Sequence, residues 1–275
     1  MPAHACPHAS SAVGTPQTPA AQRRCRHWIH TRGRRSARAA LAVLTSFVVL
    51  GSPLQAQPAA AAGFQLAMVD NFDGNALNRQ RWGVYDGGNG GDRIAEHAIV
   101  RNGQLTLRTT KVNGVWKGAG ISAGRSNNQR YGKYEMRARF DRGYGVRVAG
   151  LLWPSNGPWP PEVDFYEIPA ADTNRTTNTL TTHYGTASDR RMHHDSYSAD
   201  FTTWQTVGVE WTPGKLVYTL NGRHMATMTR NVPTESMWFG VQTRAGSWSG
   251  IMPNASTPAV VDLDVDWVKI YRYTA

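Results

Sequence analysis

Residues 63–275 of this 275-residue chain contain no cysteine, because both cysteines, Cys6 and Cys25, lie in the N-terminal segment. That part of the chain therefore has neither disulfide bonds nor thiolate metal ligands. Its stability must come from a hydrophobic core, which a segment of this size with nine tryptophans can build. Glycine motifs for binding dinucleotides or phosphates are also absent, as are internal repeats, so the sequence does not favour nucleotide-dependent enzymes or solenoid folds.

Residues 1–62 lack acidic side chains, whereas they hold seven of the thirty Lys and Arg residues. The rest of the chain therefore carries a net charge of only +4, although the whole sequence carries +11. The basic character of the chain belongs mostly to its N-terminal segment, and we expect no nucleic-acid partner for residues 63–275.

The segment 1–62 has the organisation of a secretory leader. Basic residues up to Arg38 precede an apolar run over 39–50, and small residues suited to cleavage follow over 56–62. The run is too short to span a bilayer, which takes about 20 residues. We therefore expect a signal peptide that is cleaved and a secreted domain, 63–275, without stable membrane association. The pair Arg34-Arg35 leaves a twin-arginine export signal open as an alternative.

No long stretch with helical periodicity follows residue 63. Short runs of β-branched and aromatic residues alternate with Gly, Asn and Pro, which predicts a single all-β domain, a sandwich or barrel. The run 134–140 alternates apolar and charged residues, and Asn221-Gly222 predicts a hairpin with a type I′ turn. In the closing run 260–273, alternation predicts one face made of Val261, Leu263, Val265 and Trp267.

The stretch 162–167 concentrates three carboxylates among residues that favour β-strand. Side chains alternate along a strand, so Glu162 and Asp164 share a face, whereas Glu167 would point to the other side. A β-bulge of one extra residue would return Glu167 to the shared face. Carboxylates crowded on one face raise the pKa of at least one of them, as acid/base catalysis requires. The spacing predicts the paired acids of glycoside hydrolysis, with a solvated acidic edge or a Ca²⁺-binding cluster as the alternative.

Several stretches resemble glycoside hydrolase family 16. They are 70–74 with Trp82, 131–138, 159–167, 204–214 and 265–271. The third resembles the family's E-x-D-x-x-E motif in its bulged, laminarinase-like form. The resemblance implies a concanavalin A-like jelly roll, a sandwich of two antiparallel sheets with a concave substrate cleft. It also implies that Glu162 is the nucleophile of a retaining mechanism, Glu167 the general acid/base and Asp164 the residue that tunes their protonation.

Sugar binding requires aromatic faces for pyranose rings and polar groups for hydroxyls. Six residues are candidates for this role: Trp153, Trp159, Glu135, His183, Gln242 and Trp248. The tryptophans at 153 and 159 are predicted to stack on sugars, and Glu135 resembles a cleft-facing glutamate of the family. Structural roles stay open for several of them, namely core packing for Trp153, an ion pair for Glu135 and a structural histidine for His183.

No cofactor is expected to be required for catalysis. Members of the resembled family often hold a structural Ca²⁺, and the resemblance implies Asp266 as its carboxylate ligand. The backbone carbonyls of Asn71 and Gly103 would complete a set of oxygen ligands, which suits Ca²⁺. A surface role without metal is the alternative for Asp266.

Together with these features, the resemblance implies a secreted, monomeric, endo-acting hydrolase of β-glucans with β-1,3 or mixed β-1,3/1,4 linkages. The bulged motif is shared with family members that act on galactans, for which Arg137 and Arg139 are candidate sulfate partners. A transglycosylase would use the same covalent intermediate. A non-catalytic, lectin-like jelly roll is the alternative from another functional class, although such proteins usually lose the carboxylates that this chain keeps.

Overall fold

The computed structural model describes residues 63–87, 91–247 and 249–275; the predicted leader 1–62 and Trp248 lie outside these residues. The described part contains sixteen strands and one short 3₁₀-helix, Ala95–His97. In chain order the strands are β1 Gly63–Asp70, β2 Gly83–Val84, β3 Ala98–Arg101, β4 Gln104–Val112, β5 Val115–Lys117, β6 Gly120–Ser122, β7 Gly132–Phe140, β8 Val146–Pro154, β9 Glu162–Ile168, β10 Thr177–Gly185, β11 Arg190–Ser198, β12 Gln205–Thr212, β13 Lys215–Leu220, β14 Arg223–Met228, β15 Met237–Ala245 and β16 Val260–Thr274. No helix within these ranges has the length and apolarity needed to cross a bilayer.

The strands form two sheets whose neighbours pair antiparallel. The seven-stranded sheet has the order β11-β10-β9-β8-β15-β6-β2. The nine-stranded sheet has the order β14-β13-β12-β7-β16-β4-β3, with β1 paired to β16 and β5 paired to β4. The predicted all-β jelly-roll sandwich of two antiparallel sheets is confirmed, and so are the strand over 134–140 and the hairpin β13–β14.

The hydrophobic core lies between the two sheets. From the nine-stranded sheet, β7 buries Tyr134, Met136, Ala138 and Phe140, while the charged residues between them face outward. From the seven-stranded sheet, the ring of Phe165 packs 6.0 Å from that of Phe239, measured between centroids. Since one face of β9 is committed to this core, its other face is left for polar side chains.

The last strand, β16, departs from the regular alternation predicted for it. Its register with β7 shifts between Val265 and Trp267, so that Trp267 pairs with Arg137 on the outer face and Val268 turns inward. One extra residue reverses the side to which every later side chain points. The prediction that Trp267 shares the buried face of Val265 is therefore wrong.

A fully buried arginine holds the chain before β8. The guanidinium of Arg175 donates hydrogen bonds of 2.6 to 2.9 Å to the carbonyl oxygens of Asp141, Gly143, Val146 and Asp172. Burial lowers the pKa of Arg175 to about 10, so the group stays charged at neutral pH. These four bonds fix the start of β8, which is a neighbour of β9 in the sheet.

Candidate active site

The strand β9 contains the bulge that the acid spacing predicts. Against β8, Tyr166 pairs with Gly150 but Asp164 pairs with Leu151, so Phe165 is the extra residue. Phe165 and Tyr166 both lie in the core although they are consecutive. The bulge therefore returns Glu167 to the face that carries Asp164.

A buried side chain satisfies the backbone groups that the bulge removes from the ladder. The backbone N–H of Glu167 donates to Asn178 Oδ1 at 2.7 Å, and Asn178 Nδ2 donates to the carbonyl of Phe165 at 3.0 Å. Buried backbone groups without partners are costly, so this amide stabilises the bulged register. Sequence analysis missed Asn178, because nothing near 178 marks it as a partner of the bulge.

Each carboxylate of the shared face has its own polar neighbour. The indole Nε1 of Trp159 donates to Glu162 Oε2 at 2.5 Å. His183 Nε2 lies 3.3 Å from Asp164 Oδ2, and the hydroxyl of Thr181 donates to Glu167 Oε2 at 3.2 Å. The structure thus brings Trp159 and His183, both predicted site residues, into direct contact with the acids.

Glu162 and Asp164 share a hydrogen bond and affect each other's protonation. Burial raises the pKa of Glu162 to about 8, and the charge of Asp164 adds to this effect, whereas His183 and the bond from Trp159 oppose it. Burial and the charge of Glu167 raise the pKa of Asp164 well above its ordinary value. The pair therefore retains a proton at neutral pH, and Asp164, only 3 % exposed against 9 % for Glu162, is the better place for it.

Aromatic rings line the site on the side of Glu162. Trp153 stacks on Trp159 with centroids 6.4 Å apart and an interplanar angle of 12°, and the ring of Trp238 lies 6.5 Å from that of Trp153. Beyond them, a cavity of about 280 Å³ is lined by Gly124, Asn128, Ser155, Asn156, Ser236 and Trp238. Sequence analysis found Trp153 but missed Trp238, its register partner on β15.

Gln242 lies on the same face as the acids. It pairs with Ala149 of β8, which pairs with Glu167 of β9, so these three residues form one row across the sheet. Residues that are directly opposite in a ladder share a face, which places Gln242 two strands away from Glu167. The predicted site residue Trp248 is outside the described ranges.

Glu135 lies on the opposite sheet, so its prediction as a cleft residue is wrong. It belongs to β7 in the nine-stranded sheet and pairs with Lys133 at 3.1 Å. Arg137 and Arg139, the candidate sulfate partners, share that outer face and pair with Asp266 and Asp264. The alternation of β7 is as predicted, but alternation alone does not tell which sheet receives a strand.

Asp266 takes part in an ion pair, the alternative to the calcium site that the family resemblance implies, and calcium at this residue stays a prediction. Its carboxylate accepts a 2.5 Å hydrogen bond from the guanidinium of Arg137, which already supplies the positive charge there. Among the described residues, one group of three His or acidic side chains has its ligand atoms within 4.8 Å of one another, and it consists of Glu162, Asp164 and His183 of the site itself. A cavity of about 420 Å³ is lined by residues 69–74, Ala76, Asn78, Arg81 and Val100, none of which is one of these acids.

Sequence analysis missed three arginines and a tyrosine that interact with the acids or with one another. Arg147 of β8 and Arg244 of β15 are register partners, and Arg93 precedes the 3₁₀-helix. The guanidinium of Arg93 lies 5.5 Å from the ring centroid of Tyr85. Alternation along β8 places Arg147 on the face of Trp153, and this pattern could have identified Arg147 from the sequence. No sequence pattern marks Tyr85 and Arg93, which lie in loops.

Comparisons with known proteins agree with this arrangement. The model of glycosyl hydrolases family 16 matches residues 92–269. The endo-1,3-1,4-beta-glycanase ExsH of Rhizobium meliloti is 29 % identical over 64 % of the chain and 40 % of its own length. The glucan endo-1,3-beta-glucosidase of Cryptopygus antarcticus is 26 % identical over 65 % of the chain and 73 % of its own length. The chain thus spans less than half of the Rhizobium relative.

Solved structures share the fold at low sequence identity. The catalytic domain of an endo-1,3-beta-glucanase (laminarinase) from Thermotoga petrophila superposes with a TM-score of 0.67 at 19 % identity, over 78 % of the chain and all of that domain. The laminarinase from Rhodothermus marinus gives a TM-score of 0.67 at 21 % identity, over 78 % of the chain and 100 % of its own.

Proposed function

Because the chain belongs to glycosyl hydrolases family 16 and is therefore a glycoside hydrolase, we propose that it cleaves β-glucans within the polymer, at β-1,3 or mixed β-1,3/1,4 linkages. The observation that carries the proposal is the bulge at Phe165, which gathers Glu162, Asp164 and Glu167 on one face of β9. The names of the Rhizobium and Cryptopygus relatives support these linkages.

In this proposal, the glycosidic bond is broken through a covalent glycosyl-enzyme intermediate. Ionised Glu162 attacks the anomeric carbon while Glu167 donates a proton to the leaving oxygen; a water activated by Glu167 then releases the sugar. Two donors hold Glu162 in its ionised form, namely the indole N–H of Trp159 and the proton retained by Asp164. His183 beside Asp164 orients that carboxyl group.

The aromatic residues bind sugar rings in the same proposal. Trp153, Trp159 and Trp238 offer ring surface to pyranose C–H groups, and Gln242 offers an amide to hydroxyls on the other side of the acids. The catalytic roles involve no metal step, and Asp266 has Arg137 as its counter-charge.

The test is release of reducing sugar from a neutral β-1,3-glucan, a mixed-linkage β-glucan, agarose and carrageenan. We expect cleavage of one or both glucans, and loss of about 10⁴-fold or more in Glu162→Gln and in Glu167→Gln. Glu135→Gln, on the opposite sheet, is the matched control. Binding of glucan without cleavage of any polymer would identify a lectin-like protein, and cleavage of galactans alone would replace the proposed substrate.

The stereochemical course has its own test. Proton NMR of the first product should show the β-anomer, since two displacements at the anomeric carbon retain its configuration. An α-anomer would contradict nucleophilic attack by Glu162. Adding excess oligosaccharide acceptor measures how far sugar competes with water, and a preference for sugar would define a transglycosylase.

Export and assembly are part of the proposal as well. The basic and apolar order of residues 23–62 supports secretion, and the product is proposed to act as a soluble monomer. Expression of the full chain in a secreting host should yield a protein in the medium that begins near residue 57–63 and elutes at the size of one copy. Retention of the full leader in the cell would contradict secretion.

A further inference from the structure

A cluster of arginines lies on the site face of the seven-stranded sheet, beyond Glu167. Arg147 and Arg244 stand opposite each other in the ladder between β8 and β15. Each is two residues from the row that contains Glu167, Ala149 and Gln242, so both share the face of that row. They therefore flank the catalytic acids from the side opposite to the tryptophans.

Arg93 joins this cluster through an acidic bridge. The carboxylate of Asp92 contacts the guanidinium of Arg244 closely and lies 3.4 Å from that of Arg93. Tyr85, under Arg93, is seated on the sheet because Gly120 has no side chain; a Cβ there would lie 2.2 Å from the tyrosine ring. The segment carrying Arg93 is thus held over the same face as Arg147 and Arg244.

The positive charge of the cluster exceeds what its bridging carboxylate balances. Arg93, Arg147 and Arg244 are mostly buried, and Asp92 is shared between two of them. Burial, and then the charges of the neighbouring arginines, lower the pKa of Arg147, while Glu167 and Asp164 oppose this shift. The catalytic acids oppose this charge, and the proton that they retain among themselves limits how much of it they balance.

Arg93 also has an unused donor. Its Nε atom is buried and has no hydrogen-bond partner within the described ranges. A buried donor without a partner is costly, and guanidinium groups bind carboxylate and sulfate oxygens through paired N–H groups.

We infer that Arg93, Arg147 and Arg244 form a subsite for an anionic substituent, a carboxylate or sulfate group, on a sugar unit bound beside Glu167. The inference rests on the proposed function, because it places that sugar in the same cleft. The preferred substrate is then an acidic β-glycan rather than a neutral one. Arg137 and Arg139, on the opposite sheet, have no part in this preference.

The first test compares three substrates built on one backbone: a neutral β-1,3-glucan, the same glucan carboxymethylated, and the same glucan sulfated. We expect kcat/KM to be about tenfold higher for at least one anionic form at low salt. High salt should reduce this advantage because it screens the partly exposed charges. The anionic form with the higher kcat/KM shows whether the subsite prefers a carboxylate or a sulfate group.

Variants assign the effect to the cluster. Arg93→Gln and Arg147→Gln should each lower the ratio of anionic to neutral kcat/KM about tenfold, whereas Arg137→Gln should keep the wild-type ratio. Thermal unfolding checks that each variant is folded. If Arg93→Gln does not fold, the ratio measured for Arg147→Gln decides the test. A wild-type enzyme that prefers neutral glucan, with an unchanged ratio in both variants, would overturn the inference.

Binding separates this inference from the proposed reaction. Calorimetry in the Glu162→Gln background measures Kd for neutral, carboxymethylated and sulfated oligosaccharides without cleavage. Tighter binding of an anionic form, lost when Arg147→Gln is added, supports the subsite even if the wild-type protein cleaves no glucan, a result that would refute only the proposed function. Equal or weaker binding of both anionic forms refutes the subsite.

Discussion

The indole Nε1 of Trp159 donates a 2.5 Å hydrogen bond to Oε2 of Glu162, three residues further along the chain. The same indole stacks on Trp153 and lies 5.4 Å from the ring of His183, measured between centroids. In the proposed function, this side chain offers its face to a sugar and its N–H to the carboxylate that attacks that sugar. The proposal therefore couples substrate binding to the ionisation of Glu162 through Trp159.

Replacing Trp159 by Phe separates these two roles. The ring is kept, but the donor that favours ionised Glu162 is lost, so the pKa of Glu162 rises further. We expect the acid limb of kcat/KM to move up by about one pH unit and kcat at neutral pH to fall about tenfold or more. Trp153→Phe alters stacking alone and should not move the limb. An unchanged limb in Trp159→Phe would show that the bond does not control Glu162.

Replacing Asp164 by Asn tests which role of Asp164 dominates. Asp164 holds the proton that the pair retains, so the amide keeps a neutral donor beside Glu162 and prevents Asp164 from ionising. We expect the acid limb of kcat/KM to stay near its wild-type position, with a reduced maximal rate because the acids are no longer coupled. Asp266→Asn makes the same change on the opposite sheet and is the control. A shift of the limb to lower pH would mean that Asp164 acts on Glu162 mainly through its negative charge.

The bulge was predictable from the sequence because parity is a local property. Glu162 and Glu167 are an odd number of residues apart, and a regular strand cannot place them on one face. The chemistry that needs both acids therefore required an extra residue, and Phe165 is that residue. The partner that stabilises it, Asn178, comes from β10, and a single strand's pattern carries no information about its neighbour.

Glu135 and Arg147 show what local patterns leave undecided. Both lie on strands with regular alternation, and both belong to the outward face of their strand. The two strands differ in their neighbours, since β7 pairs with β12 and β16 whereas β8 pairs with β9 and β15. Only this pairing places β8 in the sheet of the site and β7, with the ion pair of Glu135, in the opposite sheet. That choice depends on contacts between residues far apart in sequence, which alternation does not encode.

The buried Arg175 should be essential to stability. Lysine keeps the charge but has one nitrogen in place of three, so it cannot reach the four carbonyl groups that the guanidinium binds. We expect Arg175→Lys to lower the free energy of unfolding by about 3–5 kcal/mol, measured by urea denaturation. Arg142→Lys, at an exposed position with one bond to Asn174, should change it by about 0.5 kcal/mol or less. A similar small loss in both variants would contradict this role.

The raised pKa of Glu162 makes the catalytic site a source of instability that depends on pH. Between the ordinary value of 4.5 and the folded value of about 8, the native state binds more protons than the unfolded chain, so this group makes stability fall as pH rises. Glu162→Gln removes the group. We expect the variant to unfold at nearly the wild-type urea concentration at pH 4.5, and to be more stable by about 2–4 kcal/mol at pH 8. Glu96→Gln, in the exposed part of the 3₁₀-helix, should show no such difference between the two pH values. An equal effect of Glu162→Gln at both pH values would mean that Glu162 titrates alike in the folded and unfolded chain.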